Sequence, residues 1–309
     1  MARHKIPRWQ SLPLWFIVTG AALLVTALPR RLELILGRAL GRGLRLCARR
    51  HRSVAEENLR RCLDGLDDAQ RDGLLRRNFE HFGILCFEIL HMFSPVPGHF
   101  RSYARRIAVL TGLENWEKAN AKGKGVLFVG NHVGNWEIIA AQAGMRGVDS
   151  TIVTRNLTPG WLHAAINRAR KSVGVQAALP PRILPTVLKA LKRGGSVVFV
   201  MDQYAPPDSG GIPARFFGYK VDTQSVLAVL ARKTGAALVP GSSRRDENGI
   251  IHVFMEPELE LGADGQDISK ATQLLSDRTE SYIRANPEQW TWGHRRFKHV
   301  DWSDRTLTP

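Results

Sequence analysis

Cysteine is scarce in this 309-residue chain: Cys47, Cys62 and Cys86 are the whole set, and no CxxC spacing occurs. An odd, scattered set excludes a disulfide framework or zinc ribbon and fits a reducing compartment. There is no internal repeat and no low-complexity linker. With 44% apolar and 23% charged residues, the chain is neither a disordered tail, nor collagen-like, nor a many-span membrane protein. Acidic residues are also thin, with 28 Asp+Glu against 44 Lys+Arg and a net charge of +16.

The excess is not spread evenly. Residues 1–50 carry a net +9 and residues 151–200 a net +8, the latter with eight basic residues and no acid. The other blocks are close to balance, at −2 for 51–100, +3 for 101–150, +1 for 201–250 and −3 for 251–309. A coat of charge for solubility would be uniform; two patches imply two acidic surfaces met, or one met twice.

The first patch flanks the longest apolar run. From Leu12 to Leu28 stand 17 uncharged, mostly apolar residues, with Trp9 and Trp15 toward one end. At about 1.5 Å per residue the run measures about 25 Å, slightly short of a ~30 Å hydrocarbon core. A cleaved signal peptide, a short or tilted anchor and a buried core helix all compete for it. Arg30 and Arg31 follow directly and no small-x-small cleavage site closes the run, which argues against a signal peptide. The aromatics favour an anchor. Arg3, Lys5 and Arg8 precede it, and Arg30, Arg31, Arg38, Arg42, Arg45, Arg49 and Arg50 follow it, so the bulk of the chain is expected on the cytoplasmic side. Within 31–50, Arg31, Arg38, Arg42, Arg45 and Arg49 recur on one helical face, with Leu32, Ile35, Leu36, Leu40 and Cys47 on another. Such a helix suits anionic lipid headgroups, and a solvated helix face is the alternative.

Residues 52–93 read as helical, and Pro95 and Pro97 close that region. Beyond it, short apolar runs alternate with helical stretches. Strands are expected at 125–130, 150–154, 196–201, 237–242 and 250–255, and helices at 135–145, 159–173, 182–193, 223–234 and 268–285. The alternation predicts an α/β fold with a mainly parallel central sheet flanked by helices. The organisation expected is an N-terminal membrane anchor over 1–30, a basic amphipathic and helical region over 31–98, and a catalytic α/β domain over 99–309, with 31–309 forming one folded unit.

The first strand leads into Gly130-Asn131-His132-Val133-Gly134-Asn135-Trp136-Glu137. A strand passing through a Gly/Asn turn into a helix displays side chains at the sheet edge, where ligands of α/β proteins bind. If the helix begins near Asn135, the Glu137 carboxylate can turn back to His132, fixing its tautomer and supporting its positive charge. That dyad could take a proton from a hydroxyl and return one to a leaving group. The spacing is not HExxH and no second His/Cys cluster accompanies it, so no metal is expected. HxxxxE by itself is a weak signal.

In context the signal sharpens. GNHVGNWE after GKGVLFV resembles the HX4D/E motif of the lysophospholipid acyltransferase superfamily, and more closely that of the lipid A biosynthesis acyltransferases, the lauroyl- and myristoyltransferases acting on Kdo-lipid IVA. RRHRSVAEENLRRC (49–62), Arg168-Ala169-Arg170, Met201-Asp202-Gln203, Phe216-Phe217-Gly218 and PEQWTWGHRRFK (287–298) also resemble that family. The resemblance runs from the anchor to about Lys298.

It implies a glycerolipid-acyltransferase-like fold and an O-acyltransferase that uses acyl-acyl carrier protein as donor, needs no cofactor, and works at the cytoplasmic face of a bacterial inner membrane. The acceptor hydroxyl would belong to a lipid A precursor. His132 would be the general base and Glu137 its orienting carboxylate. Arg170 matches the family's arginine downstream of the dyad, and Asp202 an acidic residue at a strand end. Asp202 could serve as a partner of Arg170 or as a helix N-cap. Arg155 and Arg168 could grip phosphate or belong to a solvated face. Asn131, Asn135 and Gln203 complete the expected substrate contacts, and backbone N–H groups of the Gly/Asn turn, or a basic side chain, are the expected oxyanion donors.

Related acyltransferases acting on phosphatidylinositol mannosides share the motif, so it fixes the reaction better than the acceptor. Two rivals need stating. A basic nucleic-acid-binding protein would explain the charge but leaves anchor and dyad idle, and no binding motif supports it. A membrane-anchored esterase would use the same dyad with water.

Overall fold

The computed structural model describes residues 8–305. Arg3 and Lys5 of the N-terminal flanking charge lie outside the described residues, as do the side chains of Arg8 and Trp9. The chain begins with four helices: α1 (Arg8–Thr26), α2 (Arg30–Cys47), α3 (Arg49–Cys62) and α4 (Asp68–Leu90). There follow α5 (His99–Ile107), β1 (Ala108–Thr111), α6 (Leu113–Asn120), β2 (Val126–Gly130), α7 (Trp136–Met145), β3 (Ser150–Val153), α8 (Gly160–Ser172), β4 (Val175–Ala178), α9 (Ile183–Lys192) and β5 (Ser196–Val200). A hairpin, β6 (Gly211–Phe216) and β7 (Tyr219–Gln224), precedes α10 (Val226–Thr234), β8 (Ala237–Arg245), β9 (Ile251–Met255) and α11 (Ile268–Ala285).

The central sheet has the order β1-β9-β8-β2-β5-β3-β4. Strands β8, β2, β5, β3 and β4 run parallel, while β9 turns back antiparallel on β8 and carries β1 parallel to itself. The parallel core follows from composition. VLFVG and SVVFV are nearly unbroken apolar runs, as strands covered by helices on both faces require. The expected strands and helices of 99–309 are all present to within a few residues. Strands β1 and β4 were not anticipated, because AVLT and VQAA are short and occupy the two sheet edges, where one-sided pairing demands little hydrophobicity.

The N-terminal region departs from expectation in two ways. Among the described residues no helix is long and apolar enough to cross a membrane, so the expected spanning anchor is not supported. Helix α1 has 19 residues, Pro13 among them, and buries only Ala22 and Val25; Phe16, Ile17 and Leu24 are 65%, 67% and 73% exposed. Second, the expected single basic helix over 31–50 breaks at Ala48 (φ −84°, ψ 55°), and part of its basic face is used internally. Arg42 Nε donates to Glu80 at 2.7 Å and Arg45 pairs with Asp72, both on α4. Beside the exposed Arg31 and Arg42, α2 shows a run of apolar residues to solvent: Leu32, Ile35, Leu36, Leu40 and Leu46 are all exposed.

Small residues let α2 reach α4. A Cβ on Gly41 would lie 2.2 Å from the Phe79 carbonyl oxygen, and one on Gly83 would lie 2.0 Å from that of Gly37. A buried ionic cluster then joins these helices to the sheet. Fully buried Glu88 of α4 accepts from Arg30 Nη2 at 2.5 Å and Arg245 Nε at 2.9 Å, and Arg245 Nη1 meets His81 Nδ1 at 2.7 Å. Burial opposes the Glu88 charge, but Arg245 and Arg30 outweigh it and push its pKa down to about 2. His81, deeply buried and beside Arg245, is held well below the ordinary histidine value and so accepts as neutral imidazole.

Candidate active site

Strand β2 ends at Gly130 and the chain turns through 131–135 into α7. Gly134 sits at φ 69°, and a Cβ there would lie 2.4 Å from the Ser243 carbonyl oxygen, so only glycine fits the turn. Asn135 caps α7, its Oδ1 accepting from the N–H groups of Glu137 and Ile138 at 3.1 Å each, while its Nδ2 donates to Glu88 Oε2 at 2.8 Å. The buried ionic cluster therefore grips the turn directly. Asn131 Nδ2 donates to the Gly241 carbonyl and its Oδ1 accepts from Val133 N–H and Ser242 Oγ. Asn131 and Asn135, expected among the substrate contacts, are both buried and engaged within the fold; they shape the turn.

Four of the turn's backbone donors, expected to meet an oxyanion, are bonded within the fold. His132 N–H goes to Asp202 Oδ2, Val133 N–H to Asn131, Gly134 N–H to the Gln289 carbonyl and Asn135 N–H to Ser243 Oγ. These bonds hold the loop in place.

The expected His132–Glu137 hydrogen bond is replaced by two separate pairs. His132 Nδ1 lies 2.8 Å from Asp202 Oδ1, at the end of β5. Asp202 is wholly buried, and although burial opposes its charge, His132 and the N–H donors around it hold its pKa below the carboxylate range. An ionised carboxylate only accepts, so Nδ1 carries the proton and the Nε2 lone pair is left as the base. Burial resists charging of His132, but Asp202, and more weakly Glu137, outweigh it and raise the imidazole pKa. Glu137 itself binds Arg170 of α8 through both oxygens, at 2.6 Å from Nη2 and 3.0 Å from Nε. Its influence on His132 is that of a nearby charge. Of the two roles left open for Asp202, neither is what the fold builds: its partners are His132 and Trp290.

Trp290, expected with Trp292 to stack on the neighbouring basic residues or meet headgroups, makes a bond that was not anticipated. Its Nε1 donates to Asp202 Oδ2 at 2.7 Å, so Asp202 is held from two sides. Trp290 and Trp292 are fully buried against Phe216 and Phe217 of the β6–β7 hairpin, and Arg296 is buried with them. Arg296 donates to the carbonyls of Gln203 and Asp222, and burial pushes its pKa down to about 10. Gln203 is half-buried and engaged through its backbone. Arg155 is exposed but close enough for its charge to bear on His294, whereas Arg168 lies on the exposed side of α8. Trp290 stands in the PEQWTWGHRRFK segment, but its pairing with Asp202, like that of Glu88 with Arg245, has no local signal, because these pairs join residues 88 and 157 positions apart.

Between α7 and the sheet lies a pocket with a cavity of about 70 Å³. Glu137, Arg170 and Trp136 stand in its lining, which is otherwise largely apolar, with Phe128, Ile139 and Ala143 among the residues. Trp136 also meets the His132 ring edge-on, at 4.8 Å between centroids. No group of three or more His, Cys, Asp or Glu side chains that could hold a metal occurs among the described residues.

Residues 3–299 match the model of the family described as bacterial lipid A biosynthesis acyltransferase. The chain belongs to that family. It is an acyltransferase, and its relatives agree. It is 30% identical to the lipid A biosynthesis lauroyltransferase of Escherichia coli (strain K12), over 90% of this chain and 89% of the relative. It is 27% identical to the lipid A biosynthesis palmitoleoyltransferase of the same strain, over 92% and 90%. A phosphatidylinositol mannoside acyltransferase of Mycobacterium tuberculosis (strain ATCC 25618 / H37Rv) is 30% identical over 76% and 73%.

Proposed function

We propose that this acyltransferase moves a fatty acyl chain from acyl carrier protein to a hydroxyl of a lipid A precursor such as Kdo-lipid IVA, without a cofactor. His132 Nε2 takes the proton of the acceptor hydroxyl as its oxygen attacks the thioester carbonyl. Asp202 fixes the tautomer and stabilises the imidazolium that forms. The tetrahedral oxyanion then collapses, the carbon–sulfur bond breaks, and the proton returns from His132 to the leaving thiolate. Arg170 spends Nε and Nη2 on Glu137, so Nη1 is the donor it can aim at that oxyanion.

The observation that carries the reading is the apolar pocket opening beside these charges. An acyl chain needs an apolar recess beside the reacting carbonyl, and the mostly apolar space under α7 lies next to Glu137 and Arg170. The exposed apolar residues of α1 and α2, followed by the basic residues of 30–50, support placement on the cytoplasmic surface of a bacterial inner membrane, resting on anionic lipid. The same charges are thereby accounted for without nucleic acid.

The test is transfer from labelled acyl carrier protein by purified full-length protein. Acylated lipid A precursor should form, and His132→Ala should lower the rate by ~10²–10⁴-fold. Near-wild-type transfer by that variant would overturn the mechanism. Release of free fatty acid at the same rate without acceptor would instead identify an esterase, and preferred acylation of a phosphatidylinositol mannoside would move the acceptor to that of the mycobacterial relative.

A further inference from the structure

A second, larger cleft is walled in part by the residues that follow Trp290 and has a volume of about 690 Å³. Its walls are the end of α2, the α2–α3 break at Ala48, the start of α3, the middle of α4 and residues 291–295. Two buried amides hold the 288–294 segment in place. Asn78 Nδ2 donates to the carbonyls of Glu288 and Trp290, and Asn58 Nδ2 to those of Trp292 and His294. The cleft is thus tied rigidly to the tryptophan that holds Asp202, and the charges of Asp202, His132 and Arg155 all bear on His294.

Its chemistry is one-sided. Arg50, His51, His294 and Arg295 line it, and no Asp or Glu does. Arg50, His51 and Arg295 are exposed and make no side-chain ion pair or hydrogen bond with other described residues, whereas Arg42, Arg45, Arg60 and Arg61 nearby are all paired to carboxylates. Buried in the same wall, Thr291 Oγ1 and His294 Nδ1 have no hydrogen-bond partner. Orphaned polar atoms and unmatched cations around a cavity are what a bound anion would satisfy. The rest of the lining is apolar, including Phe79, Phe82 and Val54. Leu44 at its rim continues the helical row of exposed Leu36 and Leu40, so an apolar track leads from the lipid-facing side of α2 into the cleft.

We propose that this cleft seats the phosphorylated head of the acceptor glycolipid, with a phosphate ester on Arg50, His51 and Arg295 and acyl chains along Leu36, Leu40 and Leu44. The acyl donor would then approach the reacting centre from the pocket under α7, and the acceptor hydroxyl would reach His132 from the His294 end of the cleft, where the charges of His132 and Asp202 are felt. This assignment rests on the acyl-transfer reading above.

The test compares wild type, the double variant Arg50→Ala/Arg295→Ala and the control Arg77→Ala, an exposed arginine of α4 outside the cleft. Exposed side chains without partners leave folding intact when truncated. In steady-state transfer, the double variant should show an acceptor KM raised roughly tenfold or more, as loss of charge-assisted hydrogen bonds requires. Its kcat and its KM for acyl carrier protein should stay within about twofold of wild type. Enzymatic removal of the acceptor's phosphates should abolish the difference between the two proteins. A raised donor KM with an unchanged acceptor KM would overturn the proposal and make the cleft a carrier-protein site.

A second arm reads binding without turnover. Phosphatidylcholine vesicles are doped with the phosphorylated glycolipid, its dephosphorylated form, or phosphatidylglycerol at equal charge, and co-sedimentation is measured. Selective loss of the double variant from the first set alone supports the site. Equal loss from the phosphatidylglycerol vesicles would overturn it in favour of nonspecific membrane contact. If wild type binds selectively yet transfers no acyl group, the acyl-transfer reading fails while the phosphate site stands.

Discussion

Asp202→Asn is the sharpest perturbation of the proposed chemistry. In the wild type, Asp202 Oδ2 accepts from His132 N–H and Trp290 Nε1, each at 2.7 Å, while Oδ1 faces His132 Nδ1 at 2.8 Å. An asparagine has one acceptor oxygen, and two fixed N–H donors claim it. Its amide NH₂ must then point at Nδ1, which turns from donor to acceptor, and the imidazole proton moves to Nε2. The shape of the site is kept but the base is lost. Fixing the wrong tautomer is worth ~10³–10⁴-fold in kcat, or about 4–5.5 kcal/mol of barrier. The assay is initial-rate acyl transfer from acyl carrier protein across a pH series. Wild type loses rate as pH falls through the raised pKa of His132, because only neutral imidazole accepts the proton. In the variant the burial that resists charging remains while its main counterweight is gone, so any residual acid limb moves to lower pH. Activity within tenfold of wild type, or an unmoved limb in a folded protein, would refute the assignment of Asp202.

Glu88→Gln strips two buried guanidiniums of their shared carboxylate and should cost ~3–5 kcal/mol at neutral pH, read as a lower denaturant midpoint. Because the Glu88 pKa is depressed to about 2, its contribution is present above the ordinary glutamate value and fades as pH falls, so the gap between wild type and variant should close on acidification. Ala143→Leu places a larger side chain in the pocket under α7 and should lower kcat/KM for the longest accepted acyl donor by ~10-fold or more, seen by mass spectrometry of products from mixed donors. An unchanged chain distribution would disconnect that pocket from the acyl chain. Gly41→Ala drives a Cβ to 2.2 Å from the Phe79 carbonyl oxygen and should destabilise by ~1–3 kcal/mol, whereas Gly43→Ala, with nothing within 4 Å, should stabilise slightly; thermal melts compare them.

Much of the fold was legible because its determinants are local. Unbroken apolar runs such as SVVFV specify buried parallel strands, a Gly/Asn turn capped by Asn135 specifies the β2–α7 exit, and helices such as α9, α10 and α11 carry their own periodicity. His132, Asp202 and Arg170 were each singled out from the sequence as candidates. Their pairing was not. Glu137 is five positions from His132 and Asp202 is seventy, so sequence spacing favoured the nearer carboxylate. Parallel β2–β5 pairing sets Gly130 against Val200, and that register, with Met201 N–H on the Gly130 carbonyl, delivers Asp202 to the turn. Once Asp202 holds the histidine, Glu137 is released to Arg170.

The N-terminal segment shows the same division. Its apolar run and arginine spacing were determined by the chain alone, but whether those arginines face lipid or α4 depends on helix packing, which Gly37, Gly41 and Gly83 make close enough for Arg42 and Arg45 to reach carboxylates. The sequence by itself thus determined the element types, the reaction family and the titratable groups. Only the tertiary structure decided which charges meet, because ion pairs and hydrogen bonds act over a few ångströms of space and are indifferent to distance along the chain.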